Sequence, residues 1–291
     1  MHTSVRKEHP MAGQMAILAT AILMSTNGLF IKLLPWHPMV ITSIRSMIAL
    51  VFLLTVRLIS PPPKNAKNPP IPLITAAVLF VLTMYSFIIA NKLTTAANAI
   101  VLQYTAPIWA ALLGWWLIKE KPFPEHWGAL VFIFAGLALF LWDGLGRGSL
   151  LGDALAVICG ICWGAYSVFS RMLKNGNPGD ALLLAHLIGA VVGIPFIFLY
   201  PPSISPSSVL SILYMGIFQI GLASLFLAYG LKRVSAVQTM LISTTEPLLN
   251  PIWVLAITGE RPTPVALIGG AIIISAVLAS SLIGMRRENL K

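Results

Sequence analysis

The sequence predicts an all-α integral membrane fold, ten transmembrane helices arranged as two inverted five-helix repeats. Three observations carry that prediction. Of 291 residues, 57% are hydrophobic and only 10% are Asp, Glu, Lys or Arg, against about 45–50% and about 25% in ordinary soluble proteins. The apolar residues gather into ten runs of about 20 residues, the length that crosses a hydrocarbon core. A frame of prolines and charges also recurs roughly one half-chain further on. So few charges could not cover the surface of a soluble domain, which excludes a water-soluble enzyme, a disordered chain and a coiled coil.

In order, the runs are 12–34, 38–59, 71–92, 95–118, 124–142, 150–171, 180–200, 207–231, 235–257 and 264–285. Pro35 and Pro38 mark the first break. Pro61, Pro62, Pro63, Pro69 and Pro70 with Lys64 and Lys67 mark the second. The tightest breaks fall at Asn91–Thr94 and Lys232–Val234. All runs are about twice the length of a barrel strand and lack period-two alternation. The first follows His2, Arg6, Lys7 and His9, as a signal peptide would. It exceeds the ~7–15 residues of a signal core and no A-x-A site follows, so an uncleaved anchor helix is expected.

Net charge is +10, but the basic residues are scattered singly through connectors, without the aromatic interleaving of a nucleic-acid surface. With the N-terminus inside, 14 Lys/Arg fall on the inner side against Lys32, Lys92, Arg147 and Arg261 outside, and Arg45 lies within a run. The positive-inside bias therefore places both termini in the cytoplasm, as an even number of spans requires. Cys159 and Cys162 lie inside an apolar run and read as small helix residues, not as a redox or metal site.

A shift of 140 places lays Lys92 on Lys232, Ala96 on Ala236, Thr105 on Thr245, Pro107 on Pro247 and Glu120 on Glu260. The same shift lays Lys121 on Arg261, Pro122 on Pro262 and Pro124 on Pro264. A shift of 139 pairs Gly13 with Gly152, Phe30 with Phe169 and Lys32 with Arg171. The two copies cover 1–145 and 146–291. Each holds five runs, an odd number, so the second copy enters the bilayer from the opposite side. Inverted repeats with proline-interrupted helices at matching positions are a transporter signature, with the binding site near the midplane.

Several segments then carry a family resemblance: PMVITSIRSMIALVFLL, WGAYSVFSR, LAYGLKRVSA and TTEPLLNPIWVLAITGERPTPVALIGGAII, with the first-half counterpart TAPIWAALLGWWLIKEKPFP. Their order and spacing resemble the drug/metabolite transporter superfamily, in its EamA-type branch, over nearly the whole chain. The resemblance implies a ten-helix carrier of small organic metabolites in a bacterial-type cytoplasmic (inner) membrane, working by alternating access. Where the first span of such proteins often carries Trp-Gly, this chain has Asn27-Gly28, so substrate preference does not carry over.

Counting inward from the run ends places Asn27, Tyr85, Gln103, Tyr104, Trp109, Trp163, Tyr166, Gln219, Glu246 and Asn250 at mid-depth. Polar groups there must face protein or a water-filled cavity. Gln238, Ile242, Glu246, Asn250 and Trp253 share one helical stripe. Pro107, Pro247 and Pro251 each remove a backbone hydrogen bond and are read as hinges of the two matched centre helices. These residues are the candidate substrate-binding and hinge set, with the aromatics lining an apolar cavity.

Three groups are candidates for coupling. Glu246 has Ala106 as its first-half equivalent, and a mid-bilayer carboxylate costs at least about 2.5 kcal/mol. It reads first as a structural acid and second as a proton-coupling carboxyl. Arg45 reads first as an interfacial side chain that snorkels, second as a cavity group that attracts a carboxylate. His186 lies near Arg45 in the repeat, at a shift of 141, and a lone histidine is more often a packing group. Trp36, Trp115, Trp116 and Trp127 fit an interfacial belt. Gly128, Ala129, Gly269, Gly270 and Ala271 fit close helix packing. Glu120 and Glu260 fit salt bridges to Lys121 and Arg261 or helix capping.

The expected function is secondary transport, with export as the default direction, of small organic metabolites such as amino acids. No P-loop, cofactor motif or metal-ligand cluster is read. The alternatives are a membrane channel, a drug-efflux carrier of apolar compounds and, further off, a membrane-embedded enzyme. Partners are a small-molecule substrate and the lipid bilayer, with proton coupling as an open alternative and a monomer or weak homodimer as the assembly.

Overall fold

A computed structural model describes residues 10–27, 30, 34–61, 67–94, 99, 102–140, 149–249, 253 and 264–289. Among the described residues the fold is all helical. The helices are α1 (Pro10–Ser25), α2 (Pro38–Ile59), α3 (Pro70–Leu93), α4 (Ala106–Ile118), α5 (Pro124–Phe140), α6 (Leu150–Met172), α7 (Gly179–Leu199), α8 (Pro206–Leu231), α9 (Ala236–Ser243) and α10 (Pro264–Asn289). Each apolar run of the sequence contributes one of them. Five, α2, α3, α6, α7 and α8, are long and apolar enough to cross a membrane.

Proline sets where many of these helices begin. Six open on a proline, whose fixed φ suits the first turn and whose missing N–H is not needed there. Side chains cap three of the helices, two of them proline-opened: His37 Nδ1 accepts from the Met39 amide at 3.3 Å, Ser205 Oγ from the Ser208 amide at 3.1 Å and Ser235 Oγ from the Gln238 amide at 3.2 Å. The α4 helix ends at Lys119, which has φ 58° in the left-handed region, and the Glu120 amide then donates to the Gly114 carbonyl at 3.1 Å.

Helix packing is reciprocal. α3 lies on α6 and α8 on α1, α2 lies on α7, and α5 lies on α10. The closest approaches repeat as well. A Cβ on Gly13 would fall 2.7 Å from Arg233 Cβ at the end of α8, and one on Gly152 would fall 2.8 Å from Thr94 Cβ at the end of α3. Only glycine fits at either crossing, and the two crossings are related by the offset of about 140 residues seen in the sequence. Gly136 of α5 meets the Gly269 carbonyl of α10, a Cβ there falling 2.8 Å away, so small residues bring that pair together. Gly128 faces open space, so its expected packing role does not hold.

The main core draws on every helix but α2, with Tyr166, Leu182, Leu227 and Met240 fully buried. Large apolar side chains such as Leu58, Phe132, Phe198 and Leu210 are exposed on the outside. An exterior of this kind is unsuited to water and suited to lipid. Trp115, Trp116 and Trp127 lie on this exterior, but Trp36 is buried and its indole donates to the Ser203 carbonyl at 2.8 Å. Trp36 is therefore a packing residue, not part of a belt.

Candidate functional site

Three consecutive polar residues at the end of α1 connect distant helices. Ser25 Oγ accepts from Trp253 Nε1 at 2.8 Å, Thr26 Oγ1 from Gln219 Nε2 at 2.7 Å, and Asn27 Oδ1 from Arg45 Nη1 at 3.3 Å. Ser25 and Thr26 donate their own hydroxyl hydrogens to the Ile22 and Leu23 carbonyls at 2.6 and 2.9 Å. Such side-chain competition for backbone groups weakens a helix, and α1 stops at Ser25.

Gln219 reaches Thr26 from a widened π-helical segment, Met215–Leu222, in the middle of α8. Segments of this kind frequently occur at functional sites. Glycines let α2 approach it: a Cβ on Gly216 would fall 2.5 Å from Ile48 Cβ, and one on Gly221 would fall 2.6 Å from the Phe52 ring. Gln219 is 1% exposed, and its Oε1 has no partner.

A second polar junction joins the centre helices. The chain turns at residues 104–105 before α4 and at 244–245 after α9, positions 140 apart. The reason is chemical. Pro107 and Pro247 have no N–H to offer the carbonyls four residues earlier, Gln103 and Ser243. The freed Ser243 carbonyl is met by Tyr104 OH at 3.1 Å, and Glu246 Oε2 lies 3.1 Å from the same hydroxyl. Gly160 and Gly164 of α6 make room for the turn before α4, since a Cβ on Gly160 would fall 2.8 Å from the Gln103 carbonyl and one on Gly164 would fall 2.8 Å from Trp109 Cβ. Trp109 Nε1 donates to Thr105 Oγ1 at 3.3 Å.

Span 9 is consequently not one continuous helix. The expected stripe from Gln238 to Trp253 is interrupted at 244–245, and the Gln238 side chain joins neither junction among the described residues. Pro107 stands in the first turn of α4, where a proline opens a helix instead of bending it. Asn250 and Pro251 lie outside the described residues.

The remaining candidates pack among α3, α6 and α7. Trp163 and Tyr166 stack with ring centres 5.3 Å apart, and Phe80 sits 4.9 Å from Tyr166 and 5.7 Å from His186. Tyr85 OH donates to the Gly189 carbonyl at 2.7 Å. His186 is fully buried, with Nε2 3.2 Å from Ser224 Oγ. Arg45 is 2% exposed, which corrects the snorkelling reading: protein encloses the guanidinium. Sequence reasoning missed Ser25, Thr26, Ser46, Ser224 and Ser243. The run Ser25-Thr26-Asn27 inside an apolar span was the available signal for the first two.

At one end of the bundle these junctions give way to ion pairs. Arg171 Nε donates to Glu120 Oε1 at 2.9 Å and Nη1 to the Leu231 and Lys232 carbonyls at 3.0 and 2.6 Å. Glu120 thus pairs with Arg171, not with Lys121 as the sequence suggested; Glu260 lies outside the described residues. Arg57 pairs with Asp180, which also accepts from Asn68 and Asn177. Between α2, α7 and α8 a cavity of about 320 Å³ opens beside Arg57, Lys232 and Arg233 and is walled by Ser224. No group of three or more potential metal ligands exists among the described residues.

Known proteins share this architecture. A transporter of Archaeoglobus fulgidus, described as uncharacterized, is 28% identical over 204 residues, covering 67% of this chain and 70% of its own. The threonine/homoserine exporter RhtA of Escherichia coli K12 is 24% identical over 236 residues, covering 78% and 76%. A crystal structure 21% identical in sequence superposes with a TM-score of 0.82 over 96% of this chain and 99% of the other, so the fold is shared. The EamA-like transporter family matches residues 11–142 and 150–282, and the chain belongs to that family.

Proposed function

We propose that this EamA-like transporter is a secondary carrier that exports small organic metabolites such as amino acids by alternating access. In this reading ten spans form two inverted repeats, 1–145 and 146–291, with both termini in the cytoplasm of a bacterial-type cell. The cargo site of this reading lies between the repeats, at Asn27, Tyr104, Trp163, Tyr166, Gln219 and Glu246, apart from the cavity between α2, α7 and α8. The observation that carries it is the pair of helix interruptions at 104–105 and 244–245, joined by Tyr104 and Glu246. Two weak points at equivalent positions supply a hinge to each repeat. The reciprocal packing of α3 on α6 and α8 on α1 supports the two-fold relation. The likeness to an exporter of threonine and homoserine supports the cargo.

Purified protein in liposomes tests this with a panel of labelled amino acids, with and without a proton gradient. Saturable counterflow is expected, and a non-saturable flux would make the protein a pore. Glu246 serves here as a structural acid, so Glu246→Gln leaves the response to the gradient unchanged. Loss of that response in the variant would make Glu246 the coupling group.

A further inference from the structure

We propose that the Arg45 guanidinium is the docking point for the carboxylate of the cargo, reached through the cavity between α2, α7 and α8. This deepens the carrier reading and rests on it. Arg45 lies within α2 at 2% exposure. Its Nη1 donates to Asn27 at 3.3 Å, a long contact with a neutral acceptor, and its Nε has no partner. The ion pairs among the described residues are Arg57–Asp180 and Arg171–Glu120, so no carboxylate there neutralises Arg45. A buried charge without a counterion is strongly unfavourable. Arginine cannot shed its proton to escape the cost. An anion must be supplied from elsewhere, and a planar carboxylate matches the guanidinium fork.

The surroundings fit an incoming polar ligand. Ser46 Oγ, His186 Nδ1 and Gln219 Oε1 are also buried without partners. They stand on α2, α7 and the π segment of α8, the helices around Arg45. Orphaned buried polar atoms are rare in native proteins; of the ten such atoms among the described residues, four, Arg45 Nε included, stand on the helices around Arg45. Tyr85 and His186 lie within electrostatic range of Arg45. His186 is bonded to Ser224, which walls the cavity beside Arg57, Lys232 and Arg233. With Arg57 paired to Asp180, Lys232 and Arg233 leave that entrance net basic, which draws anions inward.

The test uses the full chain in lipid nanodiscs, with propionate and its neutral isostere propionamide as probes and inorganic phosphate as a third. Saturable thermal stabilisation by propionate alone is expected. Equal effects of propionate and propionamide, no effect of either, or a response to phosphate only would each overturn the proposal. Arg45→Lys should weaken propionate at least tenfold, and an unchanged affinity would overturn it. Because that variant can fail to fold, Asn27→Asp provides an independent arm. It sets a carboxylate beside Arg45 Nη1, so the protein should melt higher without ligand and lose its response to propionate. An undiminished response in N27D would equally overturn the proposal. Binding is read without transport, so a failure of amino-acid counterflow strikes the carrier reading and leaves this result distinct.

Discussion

Two arginines in this molecule sit in opposite circumstances. Arg171, at the end of α6, holds a carboxylate and two carbonyls at the end of α8. Arg45, inside α2, holds only a neutral amide and leaves Nε bare. The Arg171 side chain is 15% exposed and Arg45 is 2% exposed, so the more deeply buried arginine has the fewer partners. A guanidinium held by an acid and two carbonyls belongs to the framework, where it ties α4, α6 and α8 together. In the proposed reading a ligand completes the under-bonded one. The same contrast runs through the bundle: ion pairs tie the helices together at one end, and Arg45 at greater depth has none.

Making one substitution at both positions tests the contrast most directly. Arg171→Met strands the Glu120 carboxylate and uncaps α8, and should destabilise the fold by roughly 3 kcal/mol in SDS-titrated unfolding. Arg45→Met removes an unpaired charge and fills a similar volume, so it should leave stability unchanged or raise it by about 1 kcal/mol. Cargo counterflow should fall sharply in Arg45→Met. Two losses of equal size would erase the distinction between a framework arginine and a binding one.

Much of the fold was written in the apolar runs and in the prolines that start helices at 38, 70, 124, 206 and 264. The interruptions of the centre helices were half legible. Pro107 and Pro247 announce a lost hydrogen bond, but only the structure puts the turn three residues earlier and sends Tyr104 to the stranded Ser243 carbonyl. The π segment left no local signal, since MGIFQIGL reads as ordinary apolar helix. Arg45 shows the limit most clearly. Its depth was countable from the sequence, but whether it snorkels depends on α7 and α8, which lie more than a hundred residues further along the chain. Pairings such as Gln219 with Thr26 are long-range, and periodicity within one helix carries no information about them.

The smallest expected effect falls at that Gln219–Thr26 contact. Gln219→Leu keeps the shape of the side chain and removes a buried Oε1 that has no partner. Thr26 keeps its bond to the Leu23 carbonyl at 2.9 Å, so the hydroxyl hydrogen stays satisfied and only one acceptor site is emptied. Because removing an unsatisfied polar atom offsets much of a lost hydrogen bond, unfolding should shift by less than about 0.5 kcal/mol. Counterflow should nevertheless weaken several-fold if, as proposed, the residue lines the site and offers its free carbonyl oxygen to the cargo. A variant that unfolds like the parent and transports like it would remove Gln219 from the site and assign its orphaned oxygen to the framework, on the same side of the comparison as Arg171.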